Sequence, residues 1–518
     1  MKIAQPRFSD IPDFSYLLDY LDHYTEHTPD SDAAIDLGGR RLTYAMLRKE
    51  VDTVMRSLAM SDCHRGDRVA VLAGPSVDFW VAFLAIVSAG YVFVGLNPRY
   101  TNREISAAVK RADARLVLAD GQFTHATPSL SESGVAVAIY SPGGLAQAIT
   151  DVAAGRELRA RDFPSNNPDE ASLLVFTSGS TGEPKGAMLS ETGLIQCSRV
   201  QAFHYCGFNE RAFNCLPINH VGAICDIATT LLIMGGAQIF APFDPALLWA
   251  NLKREKVTSI GGVPTMLQMM FMHEKMHPDE LHHVRRILWS GAMLPRALGE
   301  QLSTFGLPMK SFYGMTETTG SVTFTPSDAS LEDLLATIGV PDQRYHVRIA
   351  DPATNRLRNQ GAVGEVQVRS PGVMIGYLND SAATSAAFSN DGWFKTGDLA
   401  SERSDGALQL SGRLKEMFKS GGYNIYPREI ELALETMSGV ALASVVPVTD
   451  PMYSEVGFAF IVPDGSTPVD KKKVLDHLQT RLANFKRPKH VEILLDPPIL
   501  ANGKIDRHAL EERARSMV

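Results

Sequence analysis

Short β-branched runs alternate with helical patterns through most of this chain, and that alternation restricts it to layered α/β architectures. The runs include Arg68-Val-Ala-Val-Leu72, Arg115-Leu-Val-Leu118, Val135-Ala-Val-Ala-Ile139, Leu173-Leu-Val-Phe176, Ala237-Gln-Ile-Phe240, Val257-Thr-Ser-Ile260 and Arg286-Ile-Leu-Trp289. Strands separated by helices pair mainly in parallel, need cover on both faces and gather ligands at their carboxyl ends. The stretch after Phe176, the Ser290-Gly-Ala292 turn and Tyr313-Gly-Met-Thr-Glu317 all fall at such ends. From Val340 to Leu410 the pattern shortens to alternating segments such as Gly364-Glu-Val-Gln-Val-Arg369, which predicts a small β-rich subdomain. Near Ser411 the pattern restarts. A helix opening at Pro427, strands near Ala443–Val446 and Phe458–Val462, a helix over 469–483 and a strand at His490–Leu494 make a compact α+β unit. A chain of 518 residues is too long for one core, and we divide it into domains 1–412 and 413–518.

The formal charge of −8, from 50 basic and 58 acidic residues, supplies no broad cationic field and argues against nucleic acid or an anionic membrane as partner. Five cysteines (Cys63, Cys197, Cys206, Cys215 and Cys225) without a C-x-x-C pair read as buried free thiols in a reducing compartment. The start has no signal-peptide core, so a cytoplasmic location is expected. The uncharged stretch from Phe79 to Pro98 is long enough to suggest a membrane span. Gly90 divides it into a helix-like half and a β-rich half, so it reads as helix, cap and buried strand. The run from Ala223 to Ile233, which carries Asp226, reads as an interior helix.

Residues 177–186, Thr-Ser-Gly-Ser-Thr-Gly-Glu-Pro-Lys-Gly, suit a loop gripping a polyphosphate. Gly179, Gly182 and Gly186 let main-chain N–H groups turn toward an anion, Ser178, Ser180 and Thr181 add hydroxyl donors, and Lys185 adds charge. The nucleoside-triphosphatase loop G-x-x-x-x-G-K-[ST] does not fit: Pro184 stands where its second glycine belongs, and Gly186 follows Lys185. Four further strings follow in order: Tyr313-Gly-Met-Thr-Glu-Thr318, Gly392-Trp-Phe-Lys-Thr-Gly-Asp398, Gly412-Arg-Leu-Lys-Glu416 and Asn502-Gly-Lys-Ile-Asp-Arg507. Together, from about Leu42 to Arg507, the chain resembles the adenylate-forming ligase superfamily, and within it the AMP-forming acyl- and aryl-CoA synthetases.

That resemblance implies a large N-terminal domain of two α/β sheets and a small β-barrel, followed by a small mobile α+β lid. It implies a carboxylate attacking the α-phosphorus of ATP, then transfer of the acyl group to coenzyme A. Two anions must meet, so the site must offset phosphate charge and hold nucleophile and leaving group in line. By resemblance, Thr177, Ser178, Gly179, Ser180, Thr181, Gly182 and Lys185 grip the β- and γ-phosphates, Thr316 contacts the α-phosphate and Glu317 holds Mg²⁺. Magnesium commonly takes one or two carboxylates beside substrate phosphates and water, so one glutamate suffices. Gly291 and Ala292 would wall the adenine, Tyr313 would stack on it beside Gly314 and Met315, and Asp398 would accept from the ribose hydroxyls with Arg413 donating nearby. Lys504 would be the catalytic cation, reaching carboxylate and α-phosphate from the lid. The family often carries a polar pair after proline just before this lysine. Here Pro498-Ile-Leu-Ala-Asn502 stands instead, so any contact of that pair is in doubt.

For the second half-reaction the resemblance implies lid rotation about Lys415. Lys419, Gly421, Gly422 and Tyr423 then approach the site, where glycine admits the pantetheine arm. His220, in Pro217-Ile-Asn-His220, matches the family's gate to the acid pocket, with Val221, Gly222, Ala223, Gly314, Met315 and Gly320 as lining. Such small and apolar residues suit an aromatic, alicyclic or medium-chain acid, and a homodimer is compatible with the family. A ligase charging a carrier-protein phosphopantetheine and a non-catalytic acyl or nucleotide sensor are the alternatives. Retention of Lys504, Glu317, Asp398 and Arg413 together speaks against a sensor.

Overall fold

The computed structural model describes residues 6–132, 134–153, 167–177, 184–499 and 505–518. Among them are four sheets. The first runs, in spatial order, Val340–Pro341, Ser321–Phe324, Met309–Gly314, Arg286–Ser290, Ser259–Gly262, Arg211–Asn214, Ala237–Phe240, Asp32–Asp36 and Arg41–Thr43. Its interior pairs are parallel, while antiparallel strands close both edges. The second runs Gly376–Tyr377, Lys185–Ser190, Ala171–Thr177, Val92–Leu96, Arg68–Leu72, Ala114–Asp120 and Ala136–Tyr140, parallel from Ala171–Thr177 onward. A third, antiparallel sheet is made of His346–Ala350, Gly364–Arg369, Phe394–Glu402 and Leu408–Arg413. The fourth holds Phe418–Ser420, Tyr423–Ile425, Val440–Asp450, Ser454–Pro463 and His490–Ile493. It packs with helices Pro427–Glu435 and Lys471–Gln479 around Phe418, Ile430, Leu434, Val445 and Ile461, and with Arg507–Met517 through Leu510 and Ala514.

Most expected elements lie where the pattern puts them, with shifts that have local causes. The strand expected at Val257–Ile260 runs Ser259–Gly262, two residues later. The helix expected over 469–483 is confined to Lys471–Gln479, because Asp470 caps it by accepting the Lys473 N–H. The uncharged stretch divides as expected into a helix Val77–Ser88, a left-handed Gly90 (φ +79°) and a buried strand Val92–Leu96. No helix among the described residues is long and apolar enough to cross a membrane. The interior helix around Asp226 is wound as a π-helix over Gly222–Thr229 before tightening to an α-helix over Thr230–Ile233. Cys63, Cys197, Cys206 and Cys225 are buried free thiols, while Cys215 is half-buried.

The two large sheets meet closely at Gly95. A Cβ there would lie 2.4 Å from the Ile218 carbonyl oxygen and 2.8 Å from Asn219 Cα, so only glycine lets the second sheet's strand reach the loop that leaves the first. Nearby, helix Glu191–Tyr205 opens on a fully buried acid. Glu191 accepts the Leu17 N–H at 2.7 Å, and burial pushes its carboxyl from 4.5 up to about 7. The folded chain thus retains a proton that the unfolded chain releases. Stability from this group is fully present below about pH 4.5 and is lost as pH rises through about 7. Urea unfolding should therefore show the wild-type advantage over Glu191→Gln shrinking by on the order of 3 kcal/mol from pH 4.5 to 8. A pH-independent difference would contradict the buried, protonated acid.

Candidate active site

Strands Arg211–Asn214, Ser259–Gly262, Arg286–Ser290 and Met309–Gly314 are successive neighbours, and the loops of interest leave their carboxyl ends on one edge of the first sheet. Ser290 is in register with Phe312, so Gly291 leaves the sheet beside Tyr313, which is still paired with Thr323. Gly291 adopts φ +82°, a conformation that glycine takes without strain. Gly291 and Ala292 are exposed, while Tyr313, Gly314, Met315, Thr316 and Glu317 are half-buried.

Asp398 reaches this edge from the third sheet. It lies inside strand Phe394–Glu402, directly across from Arg413 in the antiparallel ladder. Arg413 Nε lies 2.9 Å from Asp398 Oδ1, and Tyr313 Oη donates to Oδ2 at 2.7 Å. The carboxylate is 3% exposed. Burial, then Asp398, drive the Tyr313 hydroxyl well above its ordinary value, so it remains a donor. Each carboxylate oxygen keeps lone-pair capacity beyond these bonds, which suits a receptor for two vicinal hydroxyls.

Lys185 and Glu317 are joined by a residue that the motifs did not single out. Tyr377 Oη donates to Glu317 Oε1 at 2.9 Å, and Lys185 Nζ lies 5.3 Å from the centre of the Tyr377 ring, within cation–π range. The backbone explains the meeting. Tyr377 pairs with Ala187, the Leu378 N–H donates to Gly186 O at 2.8 Å, and the Met374 N–H donates to Glu317 O at 2.8 Å. Residues 374–378 form a strap from the lysine strand to the acidic turn. That turn is short, Thr316–Thr318, and ends at Thr319 in the left-handed region (φ +61°), where Thr319 Oγ1 donates to Gly372 O. No spacing rule connects Gly376-Tyr377 to Glu317. The dipeptide's pairing with a strand nearly two hundred residues earlier is visible only in three dimensions.

Ser178, Gly179, Ser180, Thr181, Gly182 and Lys504 lie outside the described residues. The base of their loop is described: Thr177 pairs with Lys185 as the last rung of an antiparallel hairpin. The loop thus joins two strands, whereas a nucleoside-triphosphatase loop opens a helix, which supports the exclusion drawn from the motif. Gly186 serves packing, since a Cβ there would lie 2.8 Å from Leu174 Cδ1.

On the acid side, Pro217–His220 forms a turn closed by the His220 N–H to Pro217 O, and Val221 and Gly222 follow, half-buried. Gly314 and Gly320 approach so closely that a Cβ on Gly314 would lie 2.0 Å from Gly320 O. Ala223 is fully buried, and its carbonyl accepts from Asn214 Nδ2. The helical winding turns Asp226 toward Gly222, and Gln201 Nε2 donates to its Oδ1 at 2.7 Å. Burial pushes the Asp226 carboxyl up to about 7 against that hydrogen bond. Neither Gln201 nor Asp226 carries a motif.

Lys415 is exposed in the turn between strands Leu408–Arg413 and Phe418–Ser420, a turn closed by the Glu416 and Met417 N–H groups to Arg413 O. Gly421 and Gly422 (φ +56° and +87°) form the tip of the next hairpin, flanked by Ser420 paired with Tyr423 and Lys419 paired with Asn424. The Lys419 side chain is exposed, and Tyr423 stacks on Phe485 with ring centres 4.3 Å apart.

Comparison with known proteins adds to this geometry. A family model described as AMP-binding enzyme matches residues 21–378, and one described as AMP-binding enzyme C-terminal domain matches 429–504. The chain is 35% identical over 493 residues to a feruloyl-CoA synthase of Amycolatopsis sp., covering 93% of this chain and 95% of the relative. It is 30% identical over 497 residues to an indoleacetate–CoA ligase of Aromatoleum aromaticum, covering 94% and 96%. Among solved structures, ATP-bound MatB from Rhodopseudomonas palustris superposes with a TM-score of 0.87 at 29% identity, covering 97% of this chain and 99% of that one.

The Asp398 cluster makes a prediction of its own. Arg413→Leu removes one of two donors to a buried carboxylate, although the 44% exposure of the arginine side chain limits the cost through solvent screening. Unfolding free energy at pH 7 should fall by about 1–2 kcal/mol. Urea unfolding of the variant beside wild type measures the deficit, and an unchanged unfolding free energy would sink the assignment.

Proposed function

Given that this chain belongs to the AMP-binding enzyme family and is an AMP-forming acid–CoA ligase, we propose that it activates an aromatic, alicyclic or medium-chain acid as its adenylate and passes the acyl group to coenzyme A. One observation carries the reading: the lysine strand, the Thr316–Glu317 turn and the Asp398–Arg413–Tyr313 cluster converge on a single carboxyl edge. In the first step a carboxylate oxygen bonds to the α-phosphorus, the bond to the bridging β-phosphate oxygen breaks, and pyrophosphate leaves. In the second, the coenzyme A sulfur gives up its proton and attacks the acyl carbon, and the carbon–oxygen bond to AMP breaks.

The chain's own groups divide this work. Asp398 and Arg413 hold the ribose, Gly291, Ala292 and Tyr313 receive the adenine, and Thr177 to Lys185 offset phosphate charge. Lys504 stabilises the charge that builds on carboxylate and α-phosphate. Glu317 is oriented by Tyr377 and is the residue that would hold Mg²⁺. Among the described residues no group of three or more His, Cys, Asp or Glu gathers as an all-protein cage, and one carboxylate beside substrate phosphates and water fits this ion. When bound, the ion would supply charge neutralisation at the phosphates. His220 gates the acid pocket. Domains 1–412 and 413–518 would rotate about Lys415 to exchange Lys504 for the Gly421–Gly422 hairpin between the two steps. Two relatives named for aromatic acids support an aromatic substrate.

Pyrophosphate release across benzoates, cinnamates, alicyclic and C6–C12 fatty acids, with and without coenzyme A, tests the reading. Turnover should be acid-dependent, and sustained turnover should need the thiol; ATP cleavage indifferent to every acid would sink it. Lys504→Ala should abolish acid-dependent pyrophosphate exchange and leave transfer from supplied acyl-adenylate largely intact, whereas Lys415→Pro should show the reverse bias. Equal loss of both half-reactions in either variant would contradict the division of labour. Tyr377→Phe removes a donor from the Glu317 carboxylate and should lower kcat/KM for ATP by about tenfold or more, the range for one hydrogen bond to a charged group. An unchanged value would remove Tyr377 from the site.

A further inference from the structure

Asp226 stands in an otherwise apolar wall. Its neighbours Ala223, Ile224, Cys225, Ala228 and Thr229 are buried, whereas Asp226 itself is half-buried. The extra residue per turn of a π-helix re-aims side chains, and such windings recur at functional positions. The carboxylate fills space that two glycines vacate. A Cβ on Gly222 would lie 3.4 Å from Asp226 Oδ2, and one on Gly320 would lie 3.6 Å from Oδ1 and 2.5 Å from Gln201 Nε2.

Gln201 is locked. It is fully buried, and its Oε1 accepts from Tyr205 Oη at 2.8 Å and Thr230 Oγ1 at 3.1 Å. The Tyr205 hydroxyl holds this oxygen, since the Thr230 hydroxyl also donates to Cys225 O at 2.8 Å, and the amide presents Nε2 to Asp226 Oδ1. Oδ2 has no hydrogen-bond partner among the described residues. A half-buried carboxylate with one donor keeps lone-pair capacity for a second.

We propose that Asp226 is the specificity-determining acceptor of the acyl pocket, and that the acid this enzyme activates carries a hydroxyl, away from its reacting carboxyl, that hydrogen-bonds to Oδ2. This rests on the ligase reading and on His220, Gly222 and Gly320 flanking the acid. A hydroxyl both donates and accepts, so it pairs with Asp226 in either protonation state, which an ether or an ammonium does not.

The test compares kcat/KM for matched acids within one preparation, a ratio independent of the fraction of enzyme that folds. The acids are 3- and 4-hydroxylated cinnamates and benzoates, their methyl ethers and the unsubstituted parents. Wild type should prefer the best hydroxylated acid over its parent and its ether by about ten- to a hundredfold. Asp226→Leu should bring that ratio to within about threefold of unity or invert it, and the isosteric Asp226→Asn should fall between. Turnover with no hydroxyl preference in wild type, or a wild-type ratio persisting in Asp226→Leu, overturns this inference and leaves the ligase reading standing. Absence of turnover with every acid overturns both.

Discussion

The contact between Gly95 and the Ile218–Asn219 backbone is the constraint on which the rest of the molecule depends. Interiors pack at crystal-like density, and an oxygen 2.4 Å from where a Cβ would stand leaves no room for any side chain. The approach sets the second sheet, with its anion-loop hairpin, against the loop that carries Asn219 and His220 from the first. The strap over residues 374–378 then bridges the sheets by hydrogen bonds to both the lysine strand and the Glu317 turn. The lysine strand and the Glu317 turn are thereby held to one another through main chain, which varies far less than side-chain rotamers.

Charge in the site is arranged in local pairings. Lys185 lies over the Tyr377 ring that bonds Glu317, and Asp398 is held between two donors. A further acid, Asp226, sits beside a locked amide. With a formal charge of −8 on the whole chain, long-range attraction for anions is weak. Specific donors at short range must do the gripping, and their preorganisation avoids reorganisation when charge develops.

Much of this was legible in the sequence because the informative signals are local. The runs at Arg68, Arg115 and Ala237 are strands because β-branched residues between turn formers have few alternatives, and Gly90 ends a helix because its φ is positive. Tyr313, Asp398 and Arg413 were legible through contiguous strings, and the structure brings them within hydrogen-bonding distance. The strap was not legible. Tyr377 acts through pairing with Ala187, a long-range register that no local spacing encodes. Asp226 was hidden for another reason: its run reads as an interior helix, and its partner Gln201 lies on a separate helix that no local spacing connects to it.

Arg413 ends its strand two residues before Lys415, and Asp398 lies directly across the ladder from it. Points near an axis travel little when a body turns about it, whereas points on a long lever arm sweep far. With Lys415 as the proposed pivot, the proposed ribose clamp would sit almost on the axis while the Gly421–Gly422 hairpin and the terminal helix would ride farther out. A nucleotide held there would stay anchored through a large swing, and the two proposed half-reactions would share one tether.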